Sequence, residues 1–190
     1  MDWAVEFVST MNKENAKYIR ETLDAKAQSD IGNHADAARI LWELFVQVRH
    51  IRDRRWECMT MVHLGKVYRA LRWHIAVQLL EDAIELANQI DFDSAKMMAL
   101  VELGEIKCQW GQFTESLSLF DEASKLLPQG DLDARRSVLL DMTVAYEGLN
   151  AINRCVELLA EVIEIDKEIK CEDIQDDLDH LERLLEAEKE

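Results

Sequence analysis

Apolar residues recur along this 190-residue chain at the three- and four-residue spacing of helices that pack by one face. Between residues 113 and 127, Phe113, Leu117, Phe120 and Leu127 share one face, with Ala123 near them. Near the C-terminus Ile174, Leu178, Leu181 and Leu185 form another such stripe, opposite a densely charged face. Short breaks such as Gly111-Gln112 and Pro128-Gln129-Gly130 stop helices, and Asp93 and Asp131 stand where N-caps are expected. The resulting map is a single domain, 1–190, with a lead-in helix at 2–11 and a terminal amphipathic helix at 172–188. Between them lie helical hairpins at about 14–49, 53–90, 93–127 and 131–168.

These hairpins are copies of one another. Leu103-Gly104 is followed by Trp110-Gly111, Phe113, Ser116, Phe120, Ala123 and Pro128. Thirty-nine residues upstream of Gly104 stands Leu64-Gly65, followed by Tyr68, Trp73, Ala76 and Ala83. Thirty-nine residues downstream stand Met142-Thr143, then Tyr146, Cys155, Leu159 and Val162. A weaker copy holds Ala25, Gly32, Ala37, Leu41 and Leu44. The small residues Gly65, Gly104 and Ala83 sit where paired helices would cross closely, with large apolar residues filling the spaces around them.

Leu103-Gly104, Lys107, Gly111, Phe113, Ser116, Phe120, Ala123 and Pro128 match the tetratricopeptide repeat (TPR) pattern position by position. The second copy matches at Leu64, Gly65, Tyr68 and Ala83 but is one residue shorter between Gly65 and Ala83. The fourth keeps Tyr146, with Thr143 and Val162 in place of the family's small residues. Over residues 18–168 the chain thus resembles the long-repeat variety of the TPR family, with a period of 39 in place of the usual 34. The resemblance implies an all-α fold, a right-handed α-α superhelix (solenoid) of about four TPR-like hairpins closed by a C-terminal capping helix. Five extra residues add about 7 Å if helical, so second helices or linkers are expected to be longer than standard.

Composition agrees with an all-helical chain, since one proline and six glycines are too few for the turns of most β-sheet proteins. The formal charge of −16 is unevenly placed: residues 1–95 carry a net −3 and residues 96–190 a net −13. That balance argues against nucleic acid and anionic membrane as partners. No apolar run reaches the roughly 18–20 residues of a membrane span, and the acidic Asp2 and Glu6 do not suit a signal peptide. Cys58, Cys108, Cys155 and Cys171 show no C-x-x-C pair and no disulfide-framework spacing, which suits a reduced, cytoplasmic protein.

Enzyme signatures are missing. The glycines form neither a P-loop nor a dinucleotide-binding loop, and no G-x-S-x-G or H-E-x-x-H occurs. Asp177-x-x-His180 has no second copy and reads as a solvated face. The five histidines are scattered, and a structural metal wants four ligands, so no metal and no cofactor are expected. Glu161, Glu164 and Glu168 share a face, as do Asp173, Asp176 and Asp177, and both groups read as solvated acidic surface rather than as an acid/base pair.

The family's repeat geometry implies a concave groove lined by the first helices of the hairpins. Its side chains would include Lys26, Met59, Val62, His63, Lys66 and Arg69 from the first two hairpins. From the last two would come Met98, Val101, Glu102, Glu105, Gln109, Leu140, Asp141 and Glu147. Members that clamp a C-terminal carboxylate use Lys and Asn at set positions, where this chain has Lys26, His63, Lys66, Glu102 and Glu105. The expectation is a bipolar groove, basic toward the N-terminus and acidic toward the C-terminus, that binds a protein or peptide with a basic stretch.

The run Arg49-His50-Ile51-Arg52-Asp53-Arg54-Arg55 reads as a solvated turn. Its sharper alternative is docking with the acidic C-terminal helix of another copy, giving a salt-sensitive homo-oligomer. The function expected is a protein–protein interaction scaffold or adaptor. The alternative is a peptide-sensing regulator, or a secretion or assembly chaperone, built on the same repeats.

Overall fold

The computed structural model describes residues 13–72, 74–172 and 174–187; the expected lead-in helix at 2–11 lies outside them. Contacts group the chain into two compact units, Met1–Ala95 and Lys96–Glu190. The first contains α1 (Lys13–Asp30), α2 (His34–His50), α3 (Arg54–Ala70) and α4 (Ile75–Gln89). α5 (Asp93–Gln109) begins at the boundary, and α6 (Phe113–Ser124), α7 (Leu132–Gly148), α8 (Ile152–Ile169) and α9 (Ile174–Ala187) complete the second. No strand occurs among the described residues.

In the first unit α1 packs on α2, α2 on α3 and α3 on α4. Tyr18, Leu44 and Val48 form a buried cluster with Trp56 against it, and the Tyr18 and Trp56 rings meet edge to face at 5.5 Å. The indole of Trp56 donates to Asn15 Oδ1, which ties α3 to α1 at both the apolar and the polar level. In the second unit Phe120, Val138, Met142, Leu158 and Val162 form the centre of the core.

Glycine is used in these helices for closeness. A Cβ built on Gly65 would lie 2.6 Å from Leu80 Cγ, and one on Gly104 would lie 2.5 Å from Phe120 Cε1. Both lengths are far inside van der Waals contact, so a side chain at either position would force the buried Leu80 or Phe120 to shift.

The turns explain why so few glycines suffice. Gly32 and Gly111 adopt positive φ, but so do Arg52, Arg72, Asp91, Asn150 and Lys170. Asp53 N–H returns to Val48 O at 3.0 Å, Phe92 N–H to Ala87 O at 3.0 Å and Ala151 N–H to Tyr146 O at 2.9 Å. These are Schellman closures, which satisfy the last carbonyls of a helix around one left-handed residue. Asp131 caps α7 as expected, accepting from Ala134 N–H at 3.0 Å. Asp93 is the first residue of α5, and it is Asp53 that caps α3, through Trp56 N–H. The apolar pattern of the third hairpin runs on to Leu127, but α6 closes at Ser124 and a turn carries the chain to α7.

The terminal helix packs on a different face from the one its apolar stripe suggests. Asp177 and Leu184 are buried and Leu181 is half-buried, whereas Leu178 and Leu185 are each 38% exposed. The reason is electrostatic. Arg136 on α7 donates from Nε to Asp166 on α8 and from Nη2 to Asp177 Oδ2 on α9, the latter at 2.5 Å. His180, also on α9, pairs with Glu147 of α7. Asp177 and His180 are therefore docking residues and not a solvated face.

Two carboxylates share one guanidinium, and Asp166 Oδ2 is buried without a hydrogen-bond partner. Burial raises the Asp177 carboxyl above its ordinary value, the adjacent Asp166 adds to this, and Arg136 opposes it. The folded protein thus holds this proton where the unfolded chain has released it. Asp177's contribution is complete below the ordinary carboxylate range and is lost as pH rises through its raised folded value. Arg136→Ala, which strands both acids, is expected to cost about 3–5 kcal/mol in chemical denaturation. Asp177→Asn, which keeps an acceptor and adds a donor for Asp166, should cost far less and flatten the acid-side pH dependence; equal losses would contradict this account.

Candidate partner-binding site

The 39-residue period carries one helix face from hairpin to hairpin. His63, Glu102 and Asp141 occupy one register position, and Lys66, Glu105 and Val144 occupy another. In the first unit α3 presents Lys66 as exposed, with Met59, His63 and Arg69 half-buried beside it, and α1 presents Lys26. Val62, expected among them, is 1% exposed and belongs to the core, because α3 is covered on more than one side.

In the second unit Glu105 and Gln109 of α5 and Asp141 of α7 converge on one cleft of about 160 Å³. Cys108 and Phe120 line its inner wall, and Val144, 54% exposed, stands at its edge. Met98 and Val101 are half-buried, and Val101 packs against the Phe120 core. Glu102 is buried. Leu140 is half-buried against the core and Glu147 is engaged by His180, so the acidic side of the site comes down to Glu105 and Asp141.

Val144 and Cys108 were missed by sequence reasoning, although the period points to both. Val144 is the third copy of the Lys66 and Glu105 position, and Cys108 shares its position with Arg69 and Glu147. The Cys108 thiol lies 3.0 Å from Ser116 Oγ. Burial pushes this thiol upward, the Ser116 hydrogen bond opposes, and Asp141 and Glu105 push it further up. Burial, the largest of these influences, disfavours any charge there, whereas the two carboxylates favour a cation. Burial, with Glu57, likewise pushes Cys58 up to about 11. Among the described residues no group of three His, Cys, Asp or Glu side chains is placed to hold a metal ion, and no helix is long and apolar enough to cross a membrane.

No protein-family model matches this sequence, and no curated protein matches it. Solved structures do match. BtubC (BKLC) from P. vanneervenii is similar over 87% of this chain and 70% of its own, at 16% identity and a TM-score of 0.74. The TPR-like repeats of a putative kinesin light chain from Podosopora anserina match over 92% and 97%, at 16% identity and a TM-score of 0.64. MamA from Desulfovibrio magneticus RS-1 matches over 95% and 98%, at 16% identity and a TM-score of 0.57. The chain therefore has an all-α TPR-like helical-repeat fold.

If Glu105 and Asp141 hold the Cys108 proton in place, Glu105→Gln/Asp141→Asn should speed alkylation of Cys108 near neutral pH by raising its thiolate fraction. Mass-spectrometric labelling kinetics at single-site resolution read this directly, and an unchanged rate would remove the two acids from the cleft's electrostatics.

Proposed function

We propose that the chain is a non-enzymatic interaction scaffold that holds a peptide or helix of a partner protein against the first helices of its hairpins. The acidic cleft of the second unit is the anchoring point and takes a basic side chain of that partner. The observation carrying this reading is the convergence of Glu105, Gln109 and Asp141 on one small cleft beside the exposed Val144. A lysine or arginine fits there by both parts of its structure. Its alkyl stem would lie along the exposed Val144 while its charge meets two carboxylates.

Further support comes from the charge balance, because residues 96–190 carry a net −13 that would draw in a basic segment and repel a phosphate backbone. In the first unit Lys26, Lys66 and Arg69 would favour acidic residues of a partner. Four free cysteines are consistent with a cytoplasmic setting.

Fluorescence anisotropy with labelled peptides tests the reading. An arginine-containing peptide with blocked termini should bind more tightly than one ending in acidic residues and a free carboxylate. Glu105→Gln/Asp141→Asn should weaken the first by about 10- to 100-fold, the equivalent of about 1.4–2.8 kcal/mol. A preference for the acidic tail, or indifference to the two substitutions, would overturn it.

A further inference from the structure

The arginine-rich run does not form a free loop. Arg49 pairs with Glu57 at 3.2 Å and lies over the Phe45 ring, Arg54 bonds Gln89 at 2.6 Å, and Arg55 lies over Phe92. Arg49, Arg52 and Arg54, with Glu57 among them, line one side of a groove of about 560 Å³ between α2 and α4, and Arg54 reaches Gln89 at the end of α4. Its apolar floor is Phe45, Met61, Leu79 and Leu86, which belong to the core and are only 6–8% exposed. The opposite edge, on α4, carries Asp82 and Glu85, so the groove has a basic side and an acidic side.

The second unit has a groove at the equivalent place, two repeats later. There Leu127, Gly130 and Leu132 stand where Arg49, Arg52 and Arg54 stand in the first unit. Apolar space recurs in both units, but the arginine edge belongs to the first alone.

Helix α9 presents what that edge lacks. Leu178 and Leu185 are left exposed because the helix docks by Asp177, Leu181 and Leu184. Asp179, Glu182 and Glu186 are exposed beside them. Leu178 and Leu185 are seven residues apart, about 10.5 Å along a helix. Leu79 and Leu86, which line the groove, have the same spacing.

We propose that the arginine-edged groove of the first unit receives helix α9 of a second copy of this chain. Leu178 and Leu185 seat against Leu79, Leu86 and Phe45, and the acids of α9 meet Arg52 and Arg54. The two surfaces are different patches, so the contact is head-to-tail and propagates into short chains or closes into a ring. It uses no residue of the Glu105–Asp141 cleft.

Sedimentation velocity on the full chain gives the test. Average mass should rise with concentration at about 0.01 M salt and fall toward the monomer at about 1 M, where the Debye length shortens from about 30 Å to about 3 Å. Arg52→Glu/Arg54→Glu should be monomeric, as should Leu178→Lys/Leu185→Lys, each with unchanged helicity. Mixed in equal amounts, these two variants should form dimers and nothing larger, since only one intact groove and one intact α9 remain per pair. Glu105→Gln/Asp141→Asn should assemble as the unaltered protein does, which separates this contact from partner binding. A chain that stays monomeric at low salt, variants that still assemble, or a mixture that forms no dimers would overturn the proposal.

Discussion

At Gly104 the backbone of α5 comes so near the Phe120 ring that a single added methyl group would sit 2.5 Å from Cε1. Gly65 against Leu80 repeats the arrangement in the first unit, at 2.6 Å. These crossings draw each helix pair close enough for Leu80 and Phe120 to be wholly buried, and they set which face of the first helix is left over. In α5 that remaining face holds Glu105 and Gln109. The acidic cleft is thus a by-product of packing: it forms where α5, held against Phe120, turns its outer side toward Asp141 and Val144.

Charge is the second organising force, and it acts unevenly. Most of the acid in residues 96–190 is on solvated helix faces, where it contributes little to stability. Asp166 and Asp177 are different, because Arg136 draws them together from α8 and α9 onto α7. A buried arrangement of two acids and one base is a poor source of net stability but strongly selects one docking geometry. Its cost shows in the orphaned Asp166 Oδ2 and in two leucines left in solvent. Those leucines are what a second copy could use.

Much of this was legible in the chain. The Leu-Gly pairs at 64–65 and 103–104, with aromatic residues at fixed distances after them, disclose the helix pairs because close crossings admit few residue types. Turns at Arg52, Asp91 and Asn150 carry no such mark, since the Schellman bonds around them tolerate a strained non-glycine residue. The face of α9 was misread because a leucine stripe outweighs a lone aspartate in any periodicity, until Arg136 and Asp166 are seen across from it. Of the expected groove residues, Glu105, Gln109 and Asp141 line one cleft, as the 39-residue period places them on one face. Val62 could not be placed correctly, because a helix packed on several sides buries residues that a two-helix picture leaves open.

The close crossing is tested most directly by a double-mutant cycle on Gly104 and Phe120, read by chemical denaturation. Gly104→Ala alone should cost about 1–3 kcal/mol as the methyl is forced against the ring. In the Phe120→Leu background, where a smaller and more pliant side chain can yield, the same change should cost clearly less, giving a coupling of about 0.5–3 kcal/mol. Strict additivity, or a stabilising Gly104→Ala from helix propensity alone, would contradict the claim that this contact sets the geometry of the pair.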